Sequence, residues 1–366
     1  MVNSVRVLVV DDSVVVRRLV TEALQEDPGI EVVGVAANGR IALDKIEQLG
    51  PDLVTLDIEM PVMDGLTTLR RIRGRHPEVS VVMFSTLTDR GASATLTALE
   101  NGADDYVTKP SSVSSIGEAR EVVRRELVPK ILALAGRGRT SATASRTVRK
   151  HGPPRRPSDG STPVGVLVIG ASTGGPDALT TLLTSLPADL PVPVVVVQHM
   201  PPVFTRHFAE RLDGKCALRV SEAVAGDVVQ RGRVLIAPGD WHLRLTGTPS
   251  RPVVALDQGP RENFCRPAVD VLFSSAAEVF GRRVLALVMT GMGADGAAGA
   301  TDIAAAGGEV YVQDEATSVV WGMPGAAHAR GVASQVLPLP EIADALVARV
   351  STAASRGAAG LAGGRR

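Results

Sequence analysis

The chain has 366 residues with 39 basic and 39 acidic side chains, so nothing global draws it toward nucleic acid, a membrane surface or a polyanionic substrate. That length suits two or three domains. Two cysteines, Cys216 and Cys265, are too few for a disulfide scaffold and fit a reducing cytoplasm, and no apolar run nears the roughly 18 residues of a membrane span.

The amino terminus reaches Asp11-Asp12 within one strand's length, which argues against a signal peptide. Short apolar runs follow at Val5–Val10, Glu31–Ala36, Leu53–Leu56, Val79–Phe84 and Asp105–Val107, separated by amphipathic stretches. Five strands alternating with helices predict an α/β domain, a flavodoxin-like parallel sheet with helices on both faces, over residues 1–130. In such a sheet the strand carboxyl ends line one crevice. Asp11 and Asp12 follow the first strand, Asp57 the third, Ser85 the fourth and Lys109 the fifth. Three carboxylates brought together repel one another unless a divalent cation such as Mg²⁺ neutralises them. An acidic pocket with a cation, a lysine and a hydroxyl suits a phosphoryl group on one carboxylate. The alternative is that Asp11 and Asp12 only cap the helix after Ser13.

From 131 to 163 the composition turns rich in Arg, Ser, Thr, Pro and Gly without hydrophobic period, as in Pro153-Pro154-Arg155-Arg156-Pro157, and reads as a flexible basic linker. A second α/β domain is predicted over 164–350, with strands at Val192–Val197, Val234–Ala237 and Val284–Met289. The Ala/Gly-rich stretch 351–366 reads as a disordered tail. This domain opens with the apolar run Val164–Ile169 and then Gly170-Ala171-Ser172-Thr173-Gly174-Gly175, with Pro176 and Asp177 starting a helical pattern. A strand ending in G-x-S-x-G and turning into a helix holds its serine on an exposed corner, although Gly-rich turns of this kind also cradle phosphates.

A serine nucleophile needs a base and a carboxylate that fixes the base's tautomer. His199 ends the strand at Gln198, and Asp295 follows the strand Val284–Met289, so three strand ends deliver Ser172, His199 and Asp295 to one crevice. The Gly-flanked loop at Met292 leaves backbone N–H groups free for an oxyanion hole. Each has a duller reading: His199 as a strand-end donor, Asp295 as a helix cap before Gly296. Cys265 shows no legible histidine pairing and reads as an inert thiol.

Val9-Val10-Asp11-Asp12-Ser13, Leu56-Asp57-Ile58-Glu59-Met60-Pro61-Val62-Met63-Asp64-Gly65 and Thr108-Lys109-Pro110 resemble the receiver domain of two-component response regulators. The resemblance implies that Asp57 accepts the phosphoryl group and that Asp11, Asp12 and Asp57 bind Mg²⁺. Ser85 and Lys109 would sense phosphorylation, with Tyr106 as the switch aromatic. Gly170–Pro176, Gln198-His199-Met200-Pro201-Pro202, Phe208-Ala209-Glu210-Arg211-Leu212, Ile236-Ala237-Pro238-Gly239 and Thr290–Gly296 resemble the catalytic domain of chemotaxis protein-glutamate methylesterases, the CheB family. This implies a Rossmann-like doubly wound fold and a triad of Ser172, His199 and Asp295. It further implies that the Met292 amide serves the oxyanion hole and that Thr173 supports the histidine.

The implied activity is hydrolysis of glutamate methyl esters on methyl-accepting chemotaxis proteins, and deamidation of receptor glutamines, without a cofactor for hydrolysis. A chemotaxis histidine kinase is the implied phosphodonor, with the unphosphorylated receiver covering the crevice. Around Asn263–Asp270 the sequence departs from the family, with Cys265 for a usual His and Ala268 for a usual Ser. Two other classes fit the sequence less well. A dinucleotide-binding module lacks the strict G-x-G-x-x-G spacing, and a DNA-binding regulator lacks a helix-turn-helix pattern and a basic recognition helix. A cytoplasmic protein that neither binds nucleic acid nor inserts into membranes is expected.

Overall fold

The structure, a computed structural model, describes residues 4–110, 115–140 and 162–362. It divides into two compact units, 1–147 and 148–366.

The first unit runs β1 (Val5–Val10), α1 (Val14–Gln25), β2 (Ile30–Ala36), α2 (Gly39–Leu49), β3 (Leu53–Asp57), α3 (Gly65–Arg75), β4 (Ser80–Ser85), α4 (Asp89–Glu100), β5 (Asp105–Thr108) and α5 (Ile116–Thr140). Its five strands are parallel in the order β2-β1-β3-β4-β5, the flavodoxin-like arrangement. Helices on both faces leave no wet side, which is why β3 reads as a continuous buried run. Ser13, Asn38, Asp64 and Thr88 each cap the following helix by accepting a backbone N–H.

One boundary differs from the composition's reading. Helix α5 continues to Thr140, ten residues into the stretch expected to be linker, because Ile131 and Leu134 are buried and extend its apolar stripe. The Pro/Arg-rich remainder of that stretch lies outside the described residues.

The second unit runs β6 (Val166–Ala171), α6 (Gly175–Thr184), β7 (Val194–Gln198), α7 (Phe204–Asp213), β8 (Arg219–Glu222), β9 (Arg233–Ile236), β10 (His242–Thr248), β11 (Arg251–Asp257), α8 (Val269–Phe280), β12 (Val284–Val288), α9 (Ala297–Ala305), β13 (Glu309–Gln313), α10 (Met323–Ala329), β14 (Gln335–Leu337) and α11 (Leu339–Ala362). Seven parallel strands order as β14-β13-β12-β6-β7-β9-β8. The chain starts in the middle at β6, adds strands on one side through β7, then crosses to β12 on the other. β6 is therefore the switch point of a doubly wound sheet, where such folds open their crevice.

The doubly wound reading needs one addition: β10 and β11 form a separate antiparallel hairpin. Its buried Leu243, Leu245 and Val254 join Leu272, Phe273 and Ala276 of α8 in the core. Helix α11 also extends through Ala362, where the composition suggests a tail starting at 351; Ile342, Leu346 and Val350 are buried and anchor its first turns.

Candidate active site and receiver pocket

Strand pairing places the serine and the histidine. Ala171 of β6 pairs with Gln198 of β7, and the His199 N–H donates to the Ala171 carbonyl at 3.1 Å. Ser172 and His199 thus leave adjacent strands side by side. On the other flank of β6, the Ser172 N–H donates to the Thr290 carbonyl just past β12, at 3.0 Å. Gly174 turns the chain with φ 72°, a left-handed conformation that favours glycine, and the Gly175 N–H bonds back to the Ser172 carbonyl at 2.7 Å. The Gln198 amide donates to that same carbonyl at 2.9 Å. The corner carrying Ser172 is therefore tied to strands on both sides, as a positioned nucleophile requires.

His199 Nε2 lies 2.7 Å from Asp295 Oδ2. Asp295, 2 % exposed, accepts four further hydrogen bonds: from the Val269, Asp270 and Gly296 N–H groups and from Asn263 Nδ2. Asp295 does not cap the helix after Gly296, as its duller reading has it, since Gly296 itself is the N-cap of α9 and no side chain caps it; it caps another helix. It receives the first amides of α8, whose own N-cap, Ala268, has no side chain to offer. A helix amino terminus stabilises an anion there. Burial opposes the charge, but His199 and these amides outweigh it and hold the Asp295 carboxyl below its ordinary value. Neighbouring Asp270 is pushed up, first by burial and then by the Asp295 charge, despite amide bonds from Gly299 and Asn263.

The opposite ring nitrogen, His199 Nδ1, faces Cys265 Sγ at 3.5 Å. This corrects the reading of Cys265 as a thiol without histidine pairing. The turn that presents it is conformationally unusual, with Asn263 and Phe264 both at positive φ (50° and 65°). Burial works against a charged His199, yet the bonds to Asp295 and Cys265 push its pKa up to about 10. Among the described residues, Ser172 Oγ makes no hydrogen bond. With Nε2 held by Asp295, Nδ1 is the ring nitrogen without a carboxylate partner, and in this structure Cys265 faces it.

The Met292 N–H donates to no acceptor among the described residues. Thr173 is buried; its carbonyl accepts from Thr290 Oγ1 at 2.9 Å, and its hydroxyl makes no bond to His199. Asn263, Asp270 and Gln198 take part in this network and were not singled out from the sequence. The one sequence signal near the first two is that Asn263–Asp270 is where the chain departs from the family it resembles.

In the first unit, β1 and β3 pair with Val10 opposite Leu56, which brings Asp11 and Asp57 together at the strand ends. Lys109 Nζ lies 2.8 Å from Asp11 Oδ2 and 2.9 Å from Asp57 Oδ2. Burial, reinforced by the Asp11 charge, raises the Asp57 pKa to about 6 although Lys109 and the Ile58 N–H pull it down. Burial also disfavours the Lys109 charge, but the two carboxylates win and keep it above the usual lysine value.

Asp12, Asp57, Ser85 and Lys109 line a cavity of about 250 Å³. Ser85 Oγ bonds the Gly91 carbonyl at 3.3 Å, and Tyr106 is buried with Lys130 Nζ 5.3 Å from its ring centre. The ligand oxygens of Asp11, Asp12 and Asp57 lie within 4.8 Å of one another, and Asp11 Oδ2 is buried without an aligned hydrogen bond despite its ion pair. Clustered hard oxygens that share a single lysine ammonium fit Mg²⁺. No helix among the described residues is long and apolar enough to cross a membrane.

Comparison with known proteins agrees with this division. Residues 167–346 match the CheB methylesterase family and residues 7–121 the response regulator receiver domain. A protein-glutamate methylesterase/protein-glutamine glutaminase of Nocardioides is 52 % identical over 354 residues, covering 95 % of this chain and 96 % of its own. One from Trichodesmium erythraeum is 47 % identical over 347 residues, covering 94 % and 99 %. The solved Thermotoga maritima CheB methylesterase catalytic domain is 43 % identical with a TM-score of 0.50, covering 51 % of this chain and 99 % of that one.

Proposed function

Because this chain belongs to the protein-glutamate methylesterase/protein-glutamine glutaminase family, we propose that it demethylates glutamate methyl esters on methyl-accepting chemotaxis proteins and deamidates receptor glutamines. Ser172 is the nucleophile, His199 the base and Asp295 the carboxylate that orients it. The observation that carries these roles is the Asp295–His199 contact at the ends of the strands flanking β6, where Ser172 sits.

Ser172 Oγ attacks the ester carbonyl while its proton passes to His199 Nδ1. The ring then gives that proton to the departing methoxide, and methanol leaves. Water attacks the acyl-serine, His199 takes and returns a proton again, and the glutamate carboxylate is released. A glutamine side chain presents the same carbonyl with ammonia as the leaving group. We assign the Met292 N–H to the oxyanion hole, where such a donor is worth roughly 2.7–4 kcal/mol. Thr173 lines the nucleophile's turn, and we assign it a supporting role there.

Domain limits are taken as a receiver over 1–130 with its last helix reaching Thr140, a basic linker, and a catalytic domain from 164. Asp57 takes a phosphoryl group from a chemotaxis histidine kinase, and phosphorylation raises hydrolysis. Asp11, Asp12 and Asp57 would hold Mg²⁺, which neutralises charge on the phosphoryl oxygens when bound. Lys109 and Ser85 line the cavity that would receive those oxygens, and Tyr106 is the aromatic assigned to relay the change. The two free cysteines suit a cytoplasmic setting. The test is methanol release from methylated receptor preparations: wild type is active and Ser172→Ala is not. Near-normal release by the variant overturns the assignment.

A further inference from the structure

We propose that Cys265 Sγ and His199 Nδ1 form a binding site for a thiophilic divalent cation such as Zn²⁺, and that its occupancy shuts off hydrolysis. Zinc binds thiolate at about 2.3 Å and imidazole at about 2.0–2.1 Å, which at a tetrahedral angle sets the two donors roughly 3.5 Å apart. Sγ and Nδ1 are already 3.5 Å apart. The ring is preset for this use. Asp295 fixes Nε2 at 2.7 Å and so turns Nδ1 toward the sulfur, the carboxylate–histidine–metal arrangement that raises ligand basicity once Nδ1 gives up its proton to the metal. Asp295 itself is saturated by amide donors and acts from behind the ring rather than as a ligand.

Cys265 is partly exposed, so an ion can reach it, and metal binding displaces the thiol proton to solvent. Water completes the coordination. The receiver's three carboxylates are a hard oxygen set that suits Mg²⁺ instead, so the two sites sort cations by softness.

The inhibitory consequence, unlike the binding itself, rests on His199 being the base. A cation on Nδ1 takes the lone pair that must accept the Ser172 proton. The ester does not need to be displaced; the proton transfer is blocked.

The test uses the full chain, freed of trace metal and kept in excess Mg²⁺, with Cd²⁺ as a spectroscopic probe and Zn²⁺ as competitor. The expected result is an ultraviolet thiolate-to-Cd²⁺ charge-transfer band that saturates at one equivalent and is abolished by Zn²⁺. Methanol release falls in the same titration and returns on chelation. Cys265→Ala loses the band and, compared with its own metal-free rate, loses the inhibition; Cys216→Ser keeps both. Asp295→Asn keeps a band that needs roughly 10- to 100-fold more Cd²⁺.

A band that persists in Cys265→Ala, or none in the folded wild type up to millimolar cation, overturns the site and leaves a plain S–H···N contact. Saturation without loss of activity overturns the inhibition. If Ser172→Ala remains active, the catalytic assignment has failed, and the band still decides the metal site separately.

Discussion

Replacing Asp57 by Asn tests whether the receiver pocket is electrostatically strained in the resting protein. Asp57 is 4 % exposed and has two donors, Ile58 N–H and Lys109. Burial, ahead of the Asp11 charge, lifts its pKa from 3.8 to about 6. A folded carboxyl that holds its proton more tightly than the unfolded one makes the folded state the better proton binder between about pH 4 and 6. Stability therefore falls as pH rises through that window, and the penalty is fully present above it. The two values differ by about 3 kcal/mol in favour of the protonated form.

Asn keeps the shape and cannot ionise. Asp57→Asn is therefore expected to stabilise the receiver by up to about 3 kcal/mol at pH 8 and to change little at pH 4. Urea unfolding of both proteins across that range gives the difference and cancels every other titrating group. Trp241 and Trp321 both lie in the second unit, so fluorescence reports that unit. The receiver is instead followed by hydrogen exchange of the β1, β3 and β4 amides. A gain that is equal at pH 4 and pH 8, or a loss at pH 8, refutes the burial argument.

Four further outcomes are expected. Asp295→Asn keeps the shape of the carboxylate but lets the wrong imidazole tautomer form, so kcat should fall on the order of 10⁴-fold; a loss below tenfold would reduce Asp295 to the cap of α8. In Gly291→Ala the new Cβ would lie 2.3 Å from Met323 Sδ and 2.8 Å from Ser172 Cβ, so kcat should drop at least tenfold, with about 1–3 kcal/mol of stability lost to overpacking in denaturant titrations. His199 must be neutral to accept a proton and Cys265 helps hold it charged, so Cys265→Ala should move the rising limb of the pH–rate profile to lower pH; an unmoved limb means the thiol contact is electrostatically idle. If the unphosphorylated receiver restrains the hydrolase, deleting residues 1–147 raises basal methanol release, and a folded but inactive remainder points to a receiver that activates by contact.

Strand positions were readable because parallel strands buried on both faces are written as short apolar runs. β1, β3 and β12 fall within a residue of their expected limits at every end that matters for the site. The hairpin β10–β11 escaped because His242–Thr248 and Arg251–Asp257 carry polar side chains on the exposed face and only three fully buried apolar ones, too weak a pattern beside the parallel runs. Ser172 and His199 each follow a strand directly, and the pairing of β6 with β7 converts that place into proximity, whereas Asp295 lies seven residues past β12 and meets His199 through its loop. Asn263 was not legible. It bonds both Asp270 and Asp295 only because an irregular turn at positive φ folds back over the strand ends, and no periodicity encodes that. Cys265 was misread for the same reason: its histidine partner is 66 residues away.

Both units put their chemistry at the same topological place, and the hydrogen bonds around the carboxylates then separate their roles. Asp295 receives four donors besides His199, two of them from the start of a helix, and is held low. In the proposed cycle it stays an anion while the imidazole beside it gains and loses a proton. Asp57 has two donors and a like-charged neighbour, and is held high. Its charge is poorly compensated, and a bound cation would relieve a cost already present in the resting state. In the proposed roles, the carboxylate that orients a base is saturated and the one that is modified is left wanting. Moving either toward the other's environment exchanges the properties: an extra donor at Asp57 lowers its pKa and its gain from Mg²⁺ together, which a cation titration of stability at pH 8 would read directly.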